Sequence, residues 1–230
     1  MITAYCPGHI TCVFEPHRNE TDMMSSGSRG IGIRTSAGAT VEMVEVSGDS
    51  VGVVIDGKES DAPVTRLVLD AMLPGRGIEV NVKNDLPVGQ GFGMSAAGAI
   101  AAALCAAQIA GTDERAAWEI AHCCEIDGGG GLGDVSGLYG LYDVPVRTRA
   151  GLPPVGEVCD SGIVFEKLSV AVLGKPIDTG QMLNSEERVR AISSAGIKAL
   201  GEPLTDTASL FGISNRFSRE TGIESDTVAH

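Results

Sequence analysis

Apolar and polar residues alternate strictly over Ile78–Val82 (IEVNV), the period of a strand with one buried face. A second alternating run, Thr40–Val46, leads through Ser47-Gly48-Asp49-Ser50 into Val51–Ile55, and that order predicts a hairpin. Ile2–Tyr5 and Cys12–Phe14 are short apolar pieces around Pro7-Gly8, read as two strands flanking a ligand-facing turn. Thr21–Arg29 is polar and reads as a loop. From Ala96 to Ala110 the alternation gives way to alanine and aliphatic residues, which predicts a helix buried on most of its faces and ended by Gly111. Thr112 is read as the cap of a second helix, with Asp113 and Glu114 in its first turn, running to about Ile126. Beyond a proline-containing linker, Gly151–Gly156, the pattern predicts a strand over Ile163–Leu173. It then predicts a helix over Ser185–Leu200, with Gly201 and Pro203 just past its end, and a further helix over Thr205–Thr221. The closing stretch Glu224–His230 is polar.

Composition narrows the class. A chain of 230 residues has room for one large domain or two modest ones. Aromatic residues make up only 4%, so the core must rest on Ala, Val, Ile and Leu. A net charge of −13 argues against broad binding to nucleic acid or to an anionic membrane, although a locally positive pocket can still hold a small anion. The six cysteines include no CxxC pair, and Cys123 and Cys124 are adjacent, which suits neither a zinc site nor a disulfide framework. Reduced thiols and the lack of a signal-like pattern in Met1–Ile10 lead to the expectation of a cytoplasmic protein. The apolar stretch Ala96–Ala110 is too short to span a membrane.

Chemistry concentrates in two places. Gly89-Gln90-Gly91-Phe92-Gly93-Met94-Ser95 runs straight into the alanine-rich helix. Glycines let backbone amides approach an anion, and the first helical turn adds unpaired N–H groups and the positive end of the dipole, so the loop is a candidate phosphate cradle. It is not a Walker A loop, because Met94 rather than lysine precedes Ser95. Gly91–Ala96 formally fits G-x-G-x-x-A, but Pro87 interrupts the approach and Asp113 and Glu114 begin a helix rather than close a strand, against a dinucleotide fold. The second place is His122…Glu125…Gly131-Leu132-Gly133-Asp134. His122 and Glu125 share a helix face. Ser95 and Glu125 are candidate oxygen ligands for Mg²⁺, and Asp134 is a candidate to accept or orient the proton of an attacking hydroxyl.

Three ordered blocks, Tyr5–Glu15 (YCPGHITCVFE), Leu86–Ala97 (LPVGQGFGMSAA) and Ala121–Val135 (AHCCEIDGGGGLGDV), resemble the galactokinase, homoserine kinase and mevalonate kinase superfamily, the GHMP kinases, and within it the archaeal pantoate kinases. The resemblance implies a two-domain α+β fold, with an N-terminal ATP-binding domain over residues 1–150 and an incomplete C-terminal domain over 151–230. It implies transfer of the γ-phosphoryl of ATP to the primary hydroxyl of pantoate, on a route to coenzyme A. Pro87, Gly89, Gln90, Gly91, Phe92, Gly93, Met94, Ser95 and Ala96 would hold the phosphates. Ser95 and Glu125 would serve Mg²⁺, and Asp134 would act on the hydroxyl. Ser28, His122 and Arg147 fall where the group contacts pantoate, and His9, which stands where mevalonate-type relatives carry lysine, is a further candidate for substrate contact. Arg29 and Arg147 suit a carboxylate, which a guanidinium can bind through two hydrogen bonds. The third glycine-containing block of the family is not found before His230, so the reading expects a fragment or a reduced second domain, and a homodimer would cover the apolar surface this leaves. The same motifs also admit a kinase of another small hydroxy acid or alcohol, or a non-catalytic nucleotide-binding relative.

Overall fold

The computed structural model describes residues 1–173 and 185–223. Its strands are β1 (Ile2–His17), β2 (Gly27–Val46), β3 (Val51–Ile55), β4 (Lys58–Glu59), β5 (Gly77–Asn84), β6 (Pro145–Arg149) and β7 (Glu157–Asp160). Its helices are α1 (Pro63–Met72), α2 (Met94–Ala110), α3 (Glu114–Asp127), α4 (Asp134–Leu138), α5 (Glu186–Leu200) and α6 (Thr207–Thr221). One mixed sheet runs in the order β4-β3-β5-β2-β6-β7, and β1 pairs with β2 off that path.

The two apolar pieces near the N-terminus belong to a single strand rather than to two strands around a turn. β1 carries Pro7-Gly8 through a register shift between Pro7 and His9, and a second shift follows between Thr11 and Val13. Proline is tolerated in a strand where the ladder is broken in this way. The expected loop Thr21–Arg29 contains a short 3-10 turn at Met23–Ser25 and is already strand β2 from Gly27. The expected hairpin of Thr40–Val46 with Val51–Ile55 does not form. β5 lies between them, antiparallel to β2 and parallel to β3. Alternation defines which face of a strand is buried, not which strand lies beside it. A parallel neighbour needs a crossover, and α1 supplies it. The sequence reading missed this helix, although Pro63 at its start and the buried Val64, Val68 and Leu69 on one face are helical signals.

α2 is buried along almost its whole length, because its alanines let it lie between α1 and α3 and close against β1 and β2. Gly111, in the left-handed region at φ 71°, ends it as expected. The cap of α3 is Asp113 rather than Thr112: the Asp113 carboxylate accepts from Ala116 N–H, while Thr112 N–H is spent on Ala107 C=O at the end of α2. The expected strand Ile163–Leu173 is irregular. Ile163 and Phe165 pack near Leu210, but Val164, Val170, Val172 and Leu173 are exposed. α5 and α6 form where expected, capped by Ser185 and Asp206, and set Ile192, Ala195, Ile213 and Phe217 onto Val13 of β1. β7 pairs with β6 across the Gly151–Gly156 segment, so the strand after that segment stays in the same sheet. The stretch Glu224–His230 lies outside the described residues. All six cysteines are free thiols, and no helix among the described residues is long and apolar enough to cross a membrane.

Candidate active site

The glycine loop is clamped to β1 at His9. His9 N–H donates to Phe92 C=O at 3.0 Å. Gly93 caps α2 at φ 64°, and a Cβ there would stand 2.9 Å from His9 O, so the left-handed turn and the close approach both require glycine. Phe92 and Met94 are buried anchors, Ala96 is buried, and Ser95 is exposed at the start of the helix. Gly89 and Gln90 are half-buried, while Pro87 and Gly91 are exposed. No side chain caps the α2 N-terminus, which leaves its first-turn amides as candidate anion donors.

The side chain of the same His9 reaches the second motif. Its Nδ1 lies 2.8 Å from Asp134 Oδ1, and the Thr11 hydroxyl donates to that oxygen at 3.3 Å. His9 and Thr11 are two apart on β1, so both side chains project from one face. From β6, Arg147 Nη1 lies 3.3 Å from His9 Nε2, and its Nε–H donates to Ser28 C=O at 3.3 Å. His9 and Arg147 are at most 1% exposed. Gly32 and Gly137 leave the space the imidazole fills: a Cβ at either would lie 2.0 or 2.6 Å from His9 Nε2. Arg147 Nη2 is buried without a partner.

Glu125 is a buried acid beside the half-buried Asp134, and its Oε2 also has no partner. Burial first, and then the charge of Asp134, push its carboxyl up to about 8, with the Gly131 N–H partly offsetting both. The glycine run brings the two acids together, for a Cβ at Gly131 would touch Asp134 Oδ2 at 3.1 Å and Glu125 Oε1 at 3.3 Å. Burial would raise the Asp134 carboxyl, but the hydrogen bond from His9, the charge of Arg147 and the Thr11 hydroxyl together hold it below the usual carboxylate range. Burial lowers His9 despite Asp134, and lowers Arg147 to about 10.

Of the residues expected from sequence, the phosphate loop, His9, Ser28, Glu125, Asp134 and Arg147 meet here. Ser28 is buried, with its hydroxyl donating to Leu132 C=O at 3.4 Å. His122 is buried one layer behind: its Nε2–H donates to Met23 C=O at 3.2 Å and Ser26 C=O at 3.1 Å, pinning the turn that precedes Ser28. Arg29 is not brought in. Strand alternation turns it away from buried Ser28, and it pairs with Glu15 at 3.0 Å on the surface. The sequence reading did not single out Thr11, whose signal was its two-residue spacing from His9. A concavity over β2, β3 and β5, lined by residues such as Glu42, Val44, Glu79 and Asn81, contains none of these groups.

Among the described residues, no group of three or more His, Cys, Asp or Glu is gathered for a metal. The magnesium of a nucleotide asks for less, one or two protein oxygens with phosphates and water completing its shell. The unpaired buried Oε2 of Glu125 fits that demand, and so does the exposed hydroxyl of Ser95 at the helix mouth.

Comparison with known proteins identifies the family. Residues 62–140 match the GHMP kinases N terminal domain. The pantoate kinase of Thermococcus kodakarensis is 33% identical over 97% of this chain and 77% of its own length. That of Methanospirillum hungatei is 29% identical over 99% of this chain and 78% of its own. A solved phosphotransferase related to the CoA biosynthesis pathway superposes with a TM-score of 0.79 at 28% identity, covering 97% of this chain and 76% of that one. With 33% identity sustained over nearly its whole length, and with the glycine loop and Asp134 joined at one strand, the chain belongs to the pantoate kinase family of the GHMP kinases.

Proposed function

We propose that this protein transfers the γ-phosphoryl group of ATP to the primary hydroxyl of pantoate, giving 4-phosphopantoate and ADP, a step toward coenzyme A. The observation that carries this reading is the junction at His9. Its backbone holds the phosphate loop and its ring holds Asp134, so the donor and acceptor ends of a phosphoryl transfer share one residue. Phosphoryl transfer needs an in-line nucleophile and neutralised γ-phosphoryl oxygens, and little covalent chemistry from the protein. The amides at the start of α2 serve the phosphates. Asp134, held below the usual carboxylate range, is an anion at neutral pH and accepts the hydrogen bond of the attacking hydroxyl. As the new P–O bond forms and the bond to the β–γ bridging oxygen breaks, the hydroxyl proton passes to Asp134. Glu125 and Ser95 would hold Mg²⁺ together with the nucleotide, and the ion would supply charge neutralisation. The buried N–H groups of Arg147 Nη2 suit a carboxylate oxygen of the acceptor, with Ser28 beside them. Residues 1–150 carry all of these groups, and residues 151–230 form the second domain of this reading.

An ADP-release assay across pantoate, mevalonate and homoserine, with the product identified by ³¹P NMR, tests the proposal. Turnover is expected on pantoate. Turnover only on another acceptor would replace the substrate, and ATP binding without turnover on any would replace the activity.

A further inference from the structure

His9 was expected to touch the substrate, yet its ring is fully buried and both of its nitrogens are engaged within the protein. The bonding fixes the proton on that ring. A guanidinium has five N–H donors and no acceptor. The contact of Arg147 Nη1 with His9 Nε2 at 3.3 Å is therefore a hydrogen bond only if Nε2 carries a lone pair. The imidazole proton must then sit on Nδ1, where it points at Asp134 Oδ1, 2.8 Å away. We infer that His9 is a positioning residue held as the neutral Nδ1–H tautomer by Arg147, and that it fixes the Asp134 oxygen the Thr11 hydroxyl also reaches, leaving Oδ2 for the acceptor hydroxyl.

Three features support this. The charged and polar groups facing the His9 ring come from every element around it, namely Thr11 on its own strand, Asp134 on α4 and Arg147 on β6, and none of them is an acceptor for a proton on Nε2. The ring cannot turn to a new partner, because Gly32 and Gly137 leave it a slot only as wide as itself. Asp134 Oδ2 is the oxygen that faces Gly131 and the Glu125 side, whereas Oδ1 is used up by His9 and Thr11. A lysine in this position would bring a positive charge to the acid. A neutral imidazole brings a directed N–H and no charge, so Asp134 keeps its full negative charge for the hydroxyl it orients.

The inference rests on the kinase reading for its purpose, but its first test does not need turnover. In protein labelled with ¹⁵N-histidine, with the His9 signals assigned through its own side-chain spins, the ring is expected to show a protonated Nδ1 and a bare Nε2 across about pH 6–8. An imidazolium, or a proton on Nε2, would overturn it. The second test is a pair of substitutions. Asn at position 9 can present an N–H where Nδ1 stood, whereas the amide of Gln reaches the Nε2 side, where its oxygen accepts from Arg147. His9→Gln is expected to lower kcat on pantoate by about 10²-fold with KM for both substrates within about threefold, since the loss is one of alignment. His9→Asn is expected to recover at least about tenfold of that loss. Equal activity in the two variants would overturn the positioning role, and so would a loss confined to KM. If either variant does not fold, the ring signals of the unmodified protein still decide. A neutral Nδ1–H ring in a protein that leaves pantoate untouched would keep the tautomer and sink the substrate. An imidazolium in an active pantoate kinase would do the reverse.

Discussion

Residues 87–96 and residues 125–147 meet at His9, and they are built by opposite means. The first stretch works through what it lacks. Its glycines and alanines clear the backbone of α2's mouth, and the groups offered to a ligand are peptide N–H groups held by the fold itself. The second works through largely buried ionisable side chains that lean on one another: Arg147 on His9, His9 on Asp134, and Glu125 across Gly131. A backbone cradle costs little to keep, because helix geometry orients its donors. Buried charges cost desolvation, and each is tolerable only while its partner is present. Damage should therefore be local and graded in the loop, and should spread through the charged cluster.

The largest effect tests the charged side. Asp134→Asn should lower kcat by about 10²–10⁴-fold with little change in KM for ATP, measured by steady-state ADP release. Near-normal turnover would remove Asp134 from the chemistry. On the loop side, Gly93→Ala places a methyl 2.9 Å from His9 O at a left-handed position. KM for ATP should rise about tenfold or more, with stability down by about 1 kcal/mol. A pure kcat effect would place this glycine with the acids instead.

A third measurement uses pH. The neutral Glu125 carboxyl, at about 8 against an ordinary 4.5, binds a proton in the folded chain that the unfolded chain gives up. The stability it contributes is full below about pH 4.5 and falls as pH rises toward about 8. In nucleotide-free, metal-free protein, Glu125→Gln should therefore melt several degrees higher than the unmodified chain at about pH 8, with the gap closing near pH 5. A constant gap would mean that the buried carboxyl does not titrate there. The smallest effect is a control. Arg29→Ala removes an exposed ion pair and should change stability by no more than about 1 kcal/mol and leave turnover intact. A marked rise in KM for pantoate would return Arg29 to the site.

The same contrast governs what the sequence could reveal. The loop was legible because its chemistry is contiguous: glycines, a helix start and an alanine run lie in order, and the structure keeps them in order. The acids were legible as residue types, and their meeting with the loop followed from family resemblance. Their wiring was not. That His9 contacts Asp134 depends on pairing residues 125 positions apart, and that Arg147 reaches His9 depends on β6 joining β2 at Gly30 and Ile31. Local pattern carries no such information. It also failed where a neighbour had to be chosen, as with β3, which joined β5 rather than β2. Arg29 was misjudged for a simpler reason, since nearness in sequence to Ser28 places it on the opposite face of the strand.

β1 is one continuous strand that receives α2 and α4 along part of its length and α5 and α6 along the rest. Its two breaks in register, at Pro7/His9 and Thr11/Val13, bracket the segment that touches Asp134. If β1 were to bend at those two joints, His9 and Thr11 would move together against Asp134. Such a bend would release both contacts on Asp134 Oδ1 in one event, so the alignment of the acid depends on the straightness of a single strand segment.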